Sequence, residues 1–298
     1  MDEREWLTDR FEQHRPHLRA VAHRMLGSVN EADDALQEVW LRIRDEDAES
    51  IENVQAWLTT VVGRVCLNML RSRRARPEEK LSQVHVPDPV VTFTDTNDPE
   101  QEALLADSVG LALLVVLDAL SPAERLAFVL HDVFGVPFAE IAIVLDRSED
   151  AAMQLASRAR RRVQNSPEPE PDRAQQQRVV DAFFAAARDG DFGALVELCD
   201  PDVVLRVDGG RLRRSASLVL HGAEAVVGHT RTYSMLHPYM VPAVVNGGAG
   251  AVIAPRGRLF SVMAFTVTDG RITAIDALLD PERLQQLHLT IPPNYDAG

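Results

Sequence analysis

Three clusters of side chains sit at spacings that suit work on a partner. Between Glu31 and Arg42 (EADDALQEVWLR), Asp33, Asp34, Gln37, Glu38 and Leu41 recur at helical spacing and share one surface, with Trp40 beside the apolar stripe. Carboxylates and an amide gathered in this way form a docking face for a basic partner, although an acidic helix face alone is most often only solvated. Residues 57–76 carry five Arg and no acid. Arg64, Arg71, Arg73, Arg74 and Arg76 suit phosphate oxygens, which supply affinity with little sequence discrimination. Asn68, before the main Arg cluster, is a residue type that reaches a base edge or a sugar. The third cluster follows Ser148 on a helix ending in RARRR (158–162). It carries Ser148, Ala152, Met153, Gln154, Ser157, Arg158 and Arg161.

Covalent and metal chemistry find little support. Nothing matches H-E-x-x-H, C-x-x-C, G-x-S-x-G or a phosphate loop ending in G-K-[ST], so no metal and no cofactor is expected. Asp208, His221, His229 and His237 are the candidate general bases of the second half. The histidines are spaced by eight residues with no carboxylate at a fixed offset, and Asp208 sits before Gly209-Gly210, where Asp most often bonds its own backbone. Cys66 and Cys199 cannot build a disulfide framework.

These residues must be positioned by two or more domains, since 298 residues exceed the usual size of one. With 46% hydrophobic and 26% charged residues the chain is globular rather than disordered. It has no run apolar enough to span a bilayer and no secretory leader, so a cytoplasmic location and no membrane partner are expected. The net charge of -14 excludes a general nucleic-acid coat protein. Residues 1–173 hold 20 basic and 32 acidic side chains, against 11 and 13 in the remainder. The basic clusters are therefore islands in an acidic first half, the pattern of a chain that touches both DNA and something basic.

Apolar periodicity predicts helices through Leu18, Val21, Ala22, Met25 and Leu26, then Leu36, Val39, Trp40 and Ile43. A third, capped by Asn53, runs through Trp57, Leu58, Val61, Val62, Val65, Met69 and Leu70. Residues 77–103 read as a proline-bearing linker. Ser121-Pro122-Ala123-Glu124 is a capping box, and a short helix from Pro137 to Leu145 with a tight turn before Ser148 gives a helix-turn-helix. After the Pro/acid linker 166–173 come two helices (Val179 to Ala187, Ala194 to Leu198). Then follow β-like runs VVLRV, MVPAVV, GAVIA, LFSVMAFTV and RITAIDALL, with Asp269-Gly270 as the best hairpin signal. Helices followed by a curved antiparallel sheet suggest an α+β cone of the nuclear-transport-factor-2-like type.

The motifs carry a family resemblance. D-x-x-Q-E-x-W-L-R within residues 34–42 resembles region 2.2 of the extracytoplasmic-function (ECF) sigma factors, which docks on RNA polymerase. AWLTTVVGRVCLNMLRSRRAR resembles regions 2.3 and 2.4, which open and read the −10 element. Residues 121–163 resemble region 4, the −35 reader, with Met153 where the family usually carries Lys or Arg, and acids at Glu149 and Asp150. In that family the loop between Asp45 and Asn53 would hold an extruded base. His85-Val86-Pro87-Asp88-Pro89, Asp208-Gly209-Gly210-Arg211 and Leu279-Asp280-Pro281-Glu282-Arg283-Leu284 resemble three motifs of the sigma factors with a fused SnoaL-like domain. Here His85 replaces a Trp and Arg211 a third Gly.

The resemblance implies a multidomain chain with two all-α sigma domains and an α+β SnoaL-like cone. Its parts are region 2 (1–76), a linker (77–103), a region 4 helix-turn-helix (104–165), a Pro/acid linker (166–173) and the cone (174–298). It also implies the partners core RNA polymerase and promoter DNA. Asp33, Asp34, Gln37, Glu38, Trp40 and Leu41 would bind polymerase; Arg64, Asn68, Arg71, Arg73 and Arg74 the −10 element; and the third cluster the −35 element. Pro87, Asp88, Pro89, Asp208, Gly209, Gly210, Asp280, Pro281, Arg283 and Leu284 would regulate. The cone would hold the sigma domains in a spacing unsuited to promoter DNA, in place of a separate anti-sigma factor, and the chain would not be an enzyme. Two alternatives stay open: a helix-turn-helix regulator whose cone binds a small apolar ligand, and a cyclase- or isomerase-type enzyme with a helical appendage.

Overall fold

The apolar stripes of the first half close on one another as a helical bundle. In the computed structural model, which describes residues 3–43, 53–75, 84–93, 111–165, 172–287, 289 and 291, α1 spans Glu3–Leu26, α2 Val29–Ile43 and α3 Val54–Ala75. Leu18, Val21, Ala22, Met25, Leu36, Val39, Leu58 and Val62 are all buried at their shared interface. Gly27, at φ 75°, ends α1. Ser28 starts α2, its hydroxyl accepting from the Glu31 amide at 3.3 Å. Asn53 caps α3 through Oδ1 and the Ala56 amide. Four helices follow: α4 Leu111–Ala119, α5 Pro122–Phe128, α6 Phe138–Leu145 and α7 Glu149–Gln164. The Ser121–Glu124 capping box forms as expected, and α5 runs on into a π-helical turn, Val129–Val133. Asp146 adopts the left-handed conformation (φ 55°) between α6 and α7, and Ser148 caps α7.

The chain divides into two compact units. Met1–Leu81 with Val116–Asn165 form one, and Ser82–Val115 with Ser166–Gly298 the other. Helices α1–α3 and α5–α7 thus fall in the first unit with the end of α4, while the described linker residues 84–93 fall in the second with the cone.

The second unit has α8 (Arg173–Asp189), α9 (Phe192–Leu198), α10 (Ala223–Thr232), α11 (Pro281–Gln286) and a seven-stranded sheet. The strands are β1 Val91–Thr92, β2 Cys199–Asp208, β3 Leu218–His221, β4 Met240–Val245, β5 Gly248–Ile253, β6 Ser261–Thr268 and β7 Arg271–Leu278, ordered β1-β4-β5-β6-β7-β2-β3. Asp269 and Gly270, both at positive φ, make the expected hairpin between β6 and β7. One expectation fails: β2 pairs with β7 in parallel, so the sheet is mixed rather than antiparallel. No tight turn joins those two strands, so hairpin geometry does not constrain their direction. Strand alternation places Leu205, Val207, Phe265 and Ile275 in one core with Val180, Phe183 and Phe184 of α8. Phe183 and Phe184 both meet Phe265 edge-on, at 5.7 and 5.4 Å between centroids.

Candidate promoter interface and linker clasp

The acidic face of α2 forms because Ala32, Ala35, Leu36, Val39 and Ile43 take the buried stripe. Asp33, Asp34, Gln37 and Leu41 are exposed, and Leu41 keeps 54% of its surface free among the acids. Asp33 accepts a two-pronged Arg19 guanidinium at 2.7 and 2.9 Å, and Glu38 pairs with Arg42 one turn on. Trp40 is half-buried against Phe11, ring centroids 5.5 Å apart, so it supports the face more than it presents a contact.

At the end of α3 the arginines are already engaged. Arg73 bridges Glu31 (3.2 Å) and Asp118 (3.3 Å), Arg74 donates to the Leu120 carbonyl, and Arg64 reaches the Ile143 carbonyl at 3.5 Å. Three of the five residues expected to hold −10 DNA therefore face acceptors in the first unit, each of them reaching a residue before or in the helix-turn-helix. Asn68 and Arg71 are exposed. Arg76 and the loop 45–52 lie outside the described residues. Asp118 also accepts from Arg125 at 3.3 Å; burial pulls the Arg125 guanidinium down to about 10, and Asp118 opposes that shift. Gly63 brings the flank of α3 close: a Cβ there would lie 3.0 Å from a Leu130 methyl and 3.3 Å from one of Leu126.

The helix-turn-helix exposes Met153, Gln154, Arg158 and Arg161 on α7, with Ser157 half-buried. Ala152 is fully buried, contrary to expectation. Ala152, Ala156 and Ala159 are the stripe by which α7 packs on the rest of the motif, so Met153, one residue later, is the first of these side chains on its exposed face. The Ser148 hydroxyl accepts from the Ala151 amide at 3.2 Å and serves as a cap. Glu124 lies 3.7 Å from Arg158 and 3.5 Å from Arg162. Burial raises the Glu124 carboxyl, but the Ser121 hydroxyl and amide, with those two guanidinium groups, outweigh it and hold it below the usual carboxylate range.

In the second unit the three separated motifs converge. Asp208 is 2% exposed. Its Oδ1 accepts from the Gly210 amide (3.0 Å), while Oδ2 accepts from the Val86 amide (3.0 Å) and from Arg283 Nη1 (2.8 Å). Arg283 also donates through Nε to Asp88 Oδ1 at 2.6 Å and through Nη2 to the Val86 carbonyl. One guanidinium thus ties linker to cone by charge-assisted bonds. Pro87 and Pro89 push Val86 and Asp88 toward extended backbone. Gly209 and Gly210 are required here: a Cβ at Gly209 would meet the Arg213 carbonyl oxygen at 2.2 Å. At Gly210, φ 60°, it would meet Asp280 Oδ2 at 1.9 Å. Asp280 caps α11 through the Glu282 amide, with Pro281 at the first helical position and Leu284 buried. His85 Nδ1 lies 3.6 Å from Asp208 Oδ2.

Beyond the clasp, Val90 and Asn246 exchange hydrogen bonds. The Val90 amide donates to Asn246 Oδ1 (2.7 Å) and the Asn246 amide to the Val90 carbonyl (2.8 Å), after which β1 pairs with β4. Asn246 was not singled out in the sequence, yet Asn246-Gly247 between MVPAVV and GAVIA is a strong hairpin signal.

Comparison with known proteins agrees with this layout. Residues 10–76 match the Sigma-70 region 2 model and residues 110–163 the Sigma-70, region 4 model. Over 288 residues, 92% of this chain and 91% of the other, the protein is 40% identical to the ECF RNA polymerase sigma factor SigJ of Mycobacterium tuberculosis. The chain belongs to the ECF sigma factors. The sigma factor is also 34% identical over 280 residues to the probable ECF RNA polymerase sigma factor SigI of the same species, covering 92% of this chain and 93% of the relative. The crystal structure of M. tuberculosis SigJ, at 37% identity, aligns with a TM-score of 0.73 over 93% of this chain and 98% of that one. As a sigma factor, the protein directs promoter-specific initiation by RNA polymerase.

The sigma factor's candidate bases do not form one site. Asp208 is taken up by the clasp and His221 lies exposed on β3, whereas His229 and His237 line a cavity of the cone. Burial holds the His229 imidazole below its usual value. No Asp or Glu lines that cavity to partner either histidine. Among the described residues no three His, Cys, Asp or Glu side chains gather into a metal site, and no helix is long and apolar enough to cross a membrane. Cys66 and Cys199 are buried, and burial raises both thiols, Cys199 to about 11.

Proposed function

We propose that this ECF sigma factor carries its own restraint, with the cone acting through the linker. The observation that supports this reading is the clasp: Arg283 and Asp208 of the cone hold Val86 and Asp88 of the segment that joins the two helical segments. A linker held in that way cannot pay out freely. The second support is the engagement of Arg64, Arg73 and Arg74. The −10 and −35 elements lie about 25 base pairs apart, roughly 85 Å at 3.4 Å per pair. Helix α3, by contrast, is about 33 Å long at 1.5 Å per residue and touches α5 through Gly63. A unit closed in this manner must open before both elements are read. In the open form Asp33, Asp34, Gln37, Glu38 and Leu41 dock on polymerase, with Trp40 supporting them from behind. Asn68, Arg71 and the released arginines then take the −10 element, and Met153, Gln154, Ser157, Arg158 and Arg161 the −35 element.

The cone in this reading replaces a separate anti-sigma factor and is not an enzyme. The test is promoter-dependent run-off transcription with core polymerase and no other protein, comparing the wild type with Arg283→Ala. The expected result is weak output from the wild type and several-fold more from the variant. Equal output from both would refute restraint through the clasp.

A further inference from the structure

The cone encloses a cavity of about 100 Å³ between α8, α10, the turn Ser234–Tyr239 and the concave face of the sheet. Phe183, Phe184, Leu205, Val207, Met263 and Ile275 give it an apolar wall. The polar residues on that wall are Ser261, His237, His229, Thr230 and Tyr233, and among the described residues Ser261 Oγ and His237 Nε2 are buried there without a hydrogen-bond partner. Ser261 is 2% exposed, and alternation along β6 puts it on the same face as Met263 and Phe265. An orphaned buried hydroxyl is destabilising, and Ala would fit the strand without that cost. Such a group has a use when something else supplies its partner.

The rest of the lining limits what that can be. No Lys, Arg, Asp or Glu reaches the cavity, so an ionised head group would be buried with nothing to neutralise it. His229, on the same wall, is held toward its neutral form by burial. The volume is of the order of the ~150 Å³ engineered cavity that takes up benzene in another protein. We propose that the cone binds a small neutral molecule, about one ring in size, whose single carbonyl or hydroxyl oxygen hydrogen-bonds Ser261 and His237. This site is independent of the clasp and does not rest on the restraint proposed above.

The test uses the full chain and three probes titrated calorimetrically: acetophenone, ethylbenzene, which has CH₂ in place of the carbonyl, and benzoate. The expected result is saturable binding of acetophenone about tenfold tighter than ethylbenzene, the ratio that one hydrogen bond supplies. Benzoate should bind at least about tenfold more weakly than acetophenone. Ser261→Ala, a substitution that removes one atom from a strand, should reduce the preference for acetophenone to under about threefold while leaving ethylbenzene binding in place. Absence of saturable binding by the wild type, an unchanged preference in Ser261→Ala, or benzoate binding as tight as acetophenone would each overturn the assignment.

Discussion

The clasp on the linker and the latch at the end of α3 are both made of arginines meeting carboxylates and carbonyls, yet they differ in strength. In the clasp the Asp208 side chain is 3% exposed, with Arg283 at 18% and Asp88 at 13%. In the latch Arg73 is 25% exposed and its partner Glu31 36%. A half-exposed ion pair contributes at most about 1 kcal/mol. Removing one partner of a buried pair costs about 3–5 kcal/mol, because the charge left behind has neither water nor a counter-ion. The clasp is therefore the costlier of the two to break, and the Arg73–Glu31 pair of the latch the cheaper. Burial, rather than the kind of side chain, separates the two.

Several substitutions would break or sharpen that contrast. Arg283→Ala should destabilise the second unit by about 3–5 kcal/mol in denaturant melts and speed hydrogen exchange at the Val86 amide. Gly210→Ala should cost about 2–4 kcal/mol in the same melts, through its left-handed backbone and the clash with Asp280. In the first unit Gly63→Ile should cost about 1–3 kcal/mol by overpacking Leu130 and Leu126, widening the distance between spin labels on α3 and α7. Glu31→Gln should cost less, because the amide keeps a hydrogen bond to Arg73; double-mutant cycles with Arg73→Ala should yield a coupling below about 1 kcal/mol. A clasp variant that melts like the wild type, or a latch variant with the larger loss, would reverse the ranking.

The smallest expected effect is on pH dependence. Because burial holds His229 below its ordinary value of 6.5, the unfolded chain takes up its proton first as the pH falls. Stability from this group is complete above pH 6.5 and declines from there down to its lowered folded value. Thermal melts of His229→Gln should show a shallower loss across that window than the wild type.

The helical half was readable because each of its devices is local. The stripe at Leu18, Val21 and Met25, the Asn53 cap and the Ser121–Glu124 box all act within a turn or two of chain. Ala152 escaped because a single Ala is compatible with either face of α7; only the packing of Ala156 and Ala159 beside it decides the matter. The helix α10 was not legible, since Val226 and Val227 are a short apolar signal between Gly222 and Gly228. The parallel pairing of β2 with β7 and the meeting of Val86, Asp208 and Arg283 depend on contacts 70 to nearly 200 residues apart, which no local rule encodes. The family motifs marked the clasp residues, but not the atoms through which Val86, Asp208 and Arg283 meet.

The strand β1 has one more consequence. By pairing with β4 beside Asn246, the linker completes a sheet edge that a foreign strand would otherwise fill. Under the restraint proposed above, regulator and target share one chain, so their ratio is fixed at synthesis, and tethering supplies the strand at an effective concentration on the order of millimolar. Restraint of this kind is insensitive to gene dosage and to dilution of the cell's contents. It can be tuned only by changing the balance between docked and undocked linker within each molecule.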